Sequence, residues 1–176
     1  MRVGFLALAA GVVLASLPTA SDAQRADNDI FPRSIALQHD GQKAQELGDL
    51  DGAVDFYESA LAADPRNRSA IVALAQVARA QGLPGKAIGL YREALVLEPN
   101  DIVALTGQGE ALADKGALEL AREKLAEAQR VCTSKCPQVA ALEKTIASSD
   151  SKRVVAAEVL VPKPVVATVG SSSNQN

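Results

Sequence analysis

The most reactive side chains in this 176-residue sequence are Cys132 and Cys136, in the stretch CTSKC. Their spacing is not the C-x-x-C of thioredoxin-type redox motifs or of zinc sites. With no second cysteine pair and no nearby histidine, they cannot complete a zinc shell. On one helical turn the two Cα atoms would stand about 6 Å apart, inside disulfide range if the end of the turn unwinds. A structural disulfide is therefore the expected state, with free thiols and thiol–disulfide chemistry as the other readings. Closing so small a loop stabilises by about 2 kcal/mol, and its expected role is to fix a corner. His39 is the sole histidine, and no Ser or Cys lies at a useful spacing from it. It reads as a surface or groove residue. Asp49 and Asp51 flank a turn and read as turn and capping residues, because the other oxygens of a calcium loop are missing. There is no Gly-rich phosphate loop, no H-E-x-x-H and no paired-carboxylate motif. The sequence thus points to no catalytic residue, no cofactor and no metal, and to a protein that is not an enzyme.

The elements around these residues come from composition and periodicity. Hydrophobic residues make up 48% of the chain but aromatics only 3%, so the apolar content is largely Ala and Leu, both strong helix formers. A core of small side chains lets helices approach closely, and an all-α fold follows. The net charge of −3 argues against a nucleic-acid partner, which calls for a basic face. At the N-terminus Arg2 precedes an apolar run, Val3–Leu17, and then small residues, with Ser21-Asp22-Ala23 before Gln24. This is the pattern of a secretory signal peptide, residues 1–23, cleaved before Gln24. The run is short of the roughly 20 residues that span a bilayer, so membrane insertion after cleavage is not expected. A periplasmic or secreted location follows, an oxidising setting in which neighbouring cysteines pair. Residues 24–33 form a polar leader.

Residues 57–65 read YESALAADP and residues 91–99 read YREALVLEP, at a 34-residue interval. The same period aligns Gly48, Gly82 and Gly116, then Ala53, Ala87 and Ala121, then Tyr57, Tyr91 and Leu125, then Ala60, Ala94 and Ala128. Gly41, Ala75 and Gly109 form a further column, and Pro65 and Pro99 align with Thr133. The pattern resembles the tetratricopeptide repeat, a helix–turn–helix unit, with units 34–67, 68–101 and 102–135. The third unit departs most, with Leu125 in place of Tyr and no closing Pro. The resemblance implies a right-handed α-solenoid.

The columns have a physical rationale of their own. A turn glycine takes positive φ without steric cost. Pro65 and Pro99 stop helices, and Asn100-Asp101 can cap the next one. Tyr57 and Tyr91 are placed to pack against the following unit. The stops predict helices over 34–47, 50–63, 68–81, 85–97, 101–115 and 117–131. Gly107 lies inside the fifth and should weaken it by roughly 1 kcal/mol relative to Ala. Val139, Leu142 and Ile146 share a face and predict a capping helix in 137–148, over about 138–148, with Pro137 in its first turn. The 34–148 domain is then followed by 149–176, in which no helical period appears; it reads as a disordered tail, or else as a Val-rich segment able to add a strand to a partner's sheet.

What remains for function is a surface. The resemblance implies that partners meet the concave side, through fixed positions of each unit's first helix. Here these are Gln38, Gln42, Gln45 and Glu46, then Ser69, Gln76 and Arg79, then Thr106, Glu110 and Asp114. The resemblance also implies that a groove holding a peptide's terminal carboxylates needs clustered Lys, Arg and Asn. Only Arg79 is of that kind, so this ligand class is rejected. The expected function is an exported, non-catalytic scaffold holding a protein or peptide partner in the groove. The alternative is a thiol–disulfide or envelope-assembly accessory acting through Cys132 and Cys136.

Overall fold

The computed structural model describes residues 29–160, so the expected signal peptide, most of the expected leader and residues 161–176 lie outside it. Seven helices follow one another: α1 Pro32–Glu46, α2 Leu50–Ala63, α3 Arg68–Ala80, α4 Pro84–Leu97, α5 Ile102–Asp114, α6 Leu118–Val131 and α7 Pro137–Leu160. No strand occurs among the described residues. Helix α1 starts two residues before the expected repeat boundary because Pro32 suits a first helical turn, where its missing N–H would be unpaired anyway.

Each unit reverses on its column glycine. Gly48, Gly82 and Gly116 have φ of 79°, 73° and 82°, a region that a Cβ disfavours. Side chains cap three of the helices, α2, α3 and α5. Asp49 accepts from the Gly52 amide at 2.9 Å, Asn67 from the Ala70 amide at 3.1 Å, and Asp101 from the Val103 and Ala104 amides at 2.8 and 3.1 Å. Asp51 accepts from Gln81 Nε2 at 2.9 Å, which ties one unit's turn to the next.

The hairpins α1–α2, α3–α4 and α5–α6 stack in order, and each new first helix packs on both helices of the preceding unit. The small columns make that stacking possible. Ala53, Ala60, Ala87, Ala94, Ala121 and Ala128 are fully buried, and with only a methyl group each they let backbones approach closely. Ser34, also buried, donates to the Ala60 carbonyl at 2.7 Å and accepts from Asn67 Nδ2 at 2.9 Å, so one polar chain links α1, α2 and α3. At the first unit's edge Asp64 accepts from the Phe31 amide at 3.0 Å and the Arg66 amide at 3.1 Å. Burial pushes its carboxyl upward, but those bonds and the Arg66 charge outweigh it and hold the group below its usual value.

The tyrosines lock unit to unit. Tyr57 clusters with Leu74 and Val77 of α3, and Tyr91 lies over Gly107 of α5. A Cβ built on Gly107 would stand 2.6 Å from the Tyr91 hydroxyl oxygen. The glycine expected only to weaken α5 therefore makes room for the ring. On the other side of α5, Leu142 of α7 fills the space beside Gly109.

Helix α7 packs on α5 and α6 as α5 packs on α3 and α4, with Val139, Leu142 and Ile146 buried as the capping face. Its length differs from expectation. A stop at Ser148 and a disordered tail from 149 were expected; the structure carries the helix to Leu160. Nothing between Asp150 and Leu160 breaks a helix, and the first proline comes at Pro162, which disfavours helical backbone at Val161. Arg122 of α6 pairs with Asp150 at 3.1 Å and holds the extension's first turn. The rest of the tail, 161–176, lies outside the described residues.

Two helix glycines should respond oppositely to a methyl group. Gly107→Ala should destabilise by about 1–3 kcal/mol, because the ring above it cannot yield freely. Gly89→Ala, with nothing within 4 Å of its Cβ position, should stabilise by about 0.4–1 kcal/mol. Urea unfolding of both variants beside the parent checks the pair.

Candidate functional site

The first helices α1, α3, α5 and the capping helix α7 line one side of the stack, and two open clefts lie along them. The larger, about 560 Å³, is bounded by α3, α5 and α7, with Arg79, Tyr91, Thr106, Glu110 and Asp114 among its walls. The smaller, about 350 Å³, lies between α1 and α3 and includes Gln38, Gln42, Glu46 and Tyr57. Gln45 and Gln76 belong to both, so the two clefts form a continuous trough. Nine of the ten expected groove residues thus come together. Ser69 does not: it is exposed near the start of α3 and borders neither cleft.

Several lining residues escaped sequence reasoning. Val103 is the period equivalent of Ser69 and was available from the same column. Tyr91 was read as an inter-unit packer, yet its ring also forms part of the floor. Gln138 and Ala141 close the trough's end, because α7 occupies the slot of a fourth first helix; the sequence marks that helix only as a cap.

The charges in the trough are strongly coupled. Arg79 Nε donates to Asp114 Oδ2 at 2.6 Å, and its Nη1 donates to Glu110 Oε2. Burial alone would lower the guanidinium, but the hydrogen bond to Asp114 and the charges of Glu110 and Asp114 outweigh it and raise it, so it stays charged. Burial raises the Glu110 carboxyl; Arg79 opposes the rise and Asp114 adds to it. Tyr91 is pushed up to about 12 by burial, with Arg79 drawing it down and Glu110 pushing it up, so its hydroxyl keeps its proton at neutral pH. Burial, with a smaller push from Glu46, also raises Tyr57, and its hydroxyl donates to Gln45 Oε1 at 2.9 Å.

The other chemically suggestive residues lie elsewhere. His39 is an exposed residue of α1. Cys132 and Cys136 stand in the turn between α6 and α7, with their sulfurs 2.01 Å apart and their Cα atoms 6.1 Å apart. That turn lacks the Pro and the capping Asn or Asp of the two earlier ones. Among the described residues no group of three or more His, Cys, Asp or Glu is placed to hold a metal ion, and no helix is long and apolar enough to cross a membrane.

A family model described as a tetratricopeptide repeat matches residues 41–102. Over those residues the chain matches the tetratricopeptide repeat. Three solved structures it resembles carry the same fold over nearly their whole length. The tetratricopeptide domain of Sgt2 from Aspergillus fumigatus is 21% identical with a TM-score of 0.66, over 81% of this chain and 94% of that one. The first such domain of Spaghetti (RPAP3), bound to the HSP90 peptide SRMEEVD, is 20% identical with a TM-score of 0.61, over 70% and 94%. The TPR2B domain of yeast Sti1, in complex with an Hsp70 peptide, is 16% identical with a TM-score of 0.62, over 66% and 97%. No curated protein sequence is similar enough to match this chain.

Arg79→Met leaves Glu110 in a half-buried site with no counter-charge. The variant should lose about 1–2 kcal/mol at pH 7, less than a fully buried pair would cost because the site is open to water. Glu110, already raised by burial in the parent, would then titrate further above its unfolded value, so the added penalty falls on the ionised form. It is present at neutral pH, fades as pH drops through the raised folded value, and is gone below the unfolded carboxylate range near about 4.3. Urea unfolding of parent and variant from pH 7 to pH 4 should show the two stabilities converging.

Proposed function

We propose that this chain is an exported, non-catalytic interaction module that seats a peptide or partner helix in the trough along α1, α3, α5 and α7. The observation that carries this reading is continuity: Gln45 and Gln76 belong to both clefts, so one extended segment can lie across three units and end against α7. Side-chain amides suit such a ligand, since each offers both a donor and an acceptor to a peptide backbone. The mode is rigid display, in which packed helices hold the contact residues in place before the partner arrives. Domains of the same fold from Spaghetti (RPAP3) and yeast Sti1 are known with peptides bound, which supports a peptide as the class of ligand. The acidic ending of the Spaghetti peptide does not carry over, because Arg79 is held by two carboxylates of its own chain.

Export is part of the proposal. It is supported by the apolar run Val3–Leu17, by Ser21-Asp22-Ala23 before Gln24 and by the proximity of the two sulfurs. In this reading the disulfide holds the corner between α6 and α7, doing for the third turn what Pro and an Asx cap do for the others. That favours a structural bond over a thiol–disulfide role.

A photoreactive residue tests the trough. Benzoylphenylalanine in place of Gln76 should crosslink a defined partner segment in cells of an exporting bacterial host. The same group in place of Arg92, exposed on α4, should not. Equal labelling from both positions would contradict the groove reading. The intact mass of the recovered protein should correspond to a chain starting at Gln24, and a mass retaining residues 1–23 would contradict export.

A further inference from the structure

The larger cleft has unused capacity for positive charge. Arg79 engages one oxygen of each neighbouring carboxylate, Glu110 Oε2 and Asp114 Oδ2. The other two, Glu110 Oε1 and Asp114 Oδ1, receive no hydrogen bond from any described residue. A carboxylate accepts at both oxygens, so each retains a free acceptor. Arg79 has further N–H donors, but an incoming anion meets its single positive charge beside two carboxylates already paired with it, so the cluster as a whole repels an anion. With Glu46 in the adjoining cleft, the trough's side chains carry three negative charges and one positive.

A second, independent observation lies beneath this cluster. Tyr57 and Tyr91 are period equivalents, and both are only 1% exposed. Tyr57 has a partner, Gln45 Oε1. One period on, the place of Gln45 is taken by Arg79, which donates and cannot accept. Tyr91, a lining residue of the cleft, makes no hydrogen bond with any described residue. A nearly buried hydroxyl without a partner costs free energy that a ligand can recover.

Resting on the groove reading, we propose that the cleft takes a lysine or arginine side chain of an extended partner segment, its cationic head donating to Glu110 Oε1, Asp114 Oδ1 and the Tyr91 hydroxyl oxygen. Two cations then face two carboxylates and the local charge closes to zero. An acidic segment meets the opposite situation, with two carboxylates in its path and the one guanidinium already engaged. The partner's recognised stretch is therefore basic, and binding weakens with salt.

Three short probes separate the possibilities: the peptides GSKAKSG, GSQAQSG and GSEAESG, each capped at both ends, titrated into the isotope-labelled mature chain and followed by amide NMR. The lysine peptide should shift the amides of Thr106, Gly107, Glu110 and Asp114, with a Kd lower than that of the glutamine peptide by about tenfold or more, and the glutamate peptide should leave them in place. In the double variant Glu110→Gln, Asp114→Asn the released Arg79 should reverse the order, the glutamate peptide now binding best. Amide dispersion reports whether that variant is folded; if it is not, the titration of the parent decides alone. Equal or tighter binding of the glutamate peptide to the parent at α5 would overturn the charge assignment and leave the groove reading standing. No shift at α5 from the lysine peptide, with shifts there from the glutamine peptide, would do the same. Silence at α5 from all three would overturn both.

Discussion

The stack depends on how closely a ring can approach a backbone. Tyr91 projects from α4 onto the bare Cα of Gly107 in α5, with no room for a methyl group between them. Within the first hairpin Tyr57 of α2 lies as close to Gly41 of α1, its ring carbon 2.7 Å from where a Cβ would stand. Each contact trades the backbone entropy that a helical glycine costs for the burial of a whole aromatic side chain, a larger gain. The alanine columns continue the same logic. Because the residues between helices are small, the helix spacing is set by a few large side chains. Those side chains recur with the repeat, so the units stack in register.

The trough follows from that spacing. First helices held at a regular separation leave a strip of side chains that take little part in the core and can carry other chemistry. In this chain the strip is amide-rich at α1 and α3, and it becomes an ion cluster where α3 meets α5. Arg79 reaches across the unit boundary to Glu110 and Asp114, so the cluster both joins two units and sets the charge that a partner meets. Helix α7 closes the far end and supplies Gln138 and Ala141 to the wall. Stability and recognition therefore share residues at this boundary.

The architecture was largely legible in the sequence because the signals that encode it are local. Gly48, Gly82 and Gly116 mark the reversals, and Pro65 and Pro99 mark the stops. The second helix came out at Leu50–Ala63, as expected. What was not legible depends on direction across space. Gly107 looked like a flaw in a helix, since nothing in the order of residues says that the ring of Tyr91 points at it. Arg79, Glu110 and Asp114 were found as separate groove positions, but their pairing depends on how far α3 and α5 stand apart. The end of α7 was missed for a different reason. Valine lowers helix propensity only slightly, and a Val-rich stretch without apolar period reads as a tail although no breaker stands before Pro162.

A double-mutant cycle on the ring and the glycine tests the stacking constraint most directly. Gly107→Ala is measured by urea unfolding in the parent chain and in a Tyr91→Leu background. If the ring is what requires the bare Cα, the cost of the added methyl should fall by about 1 kcal/mol or more once the ring is gone, a coupling well beyond the roughly 0.3–0.5 kcal/mol seen for independent sites. An equal cost in both backgrounds would mean that the glycine serves α5 alone, and that the interlock proposed for this stack does not hold it together.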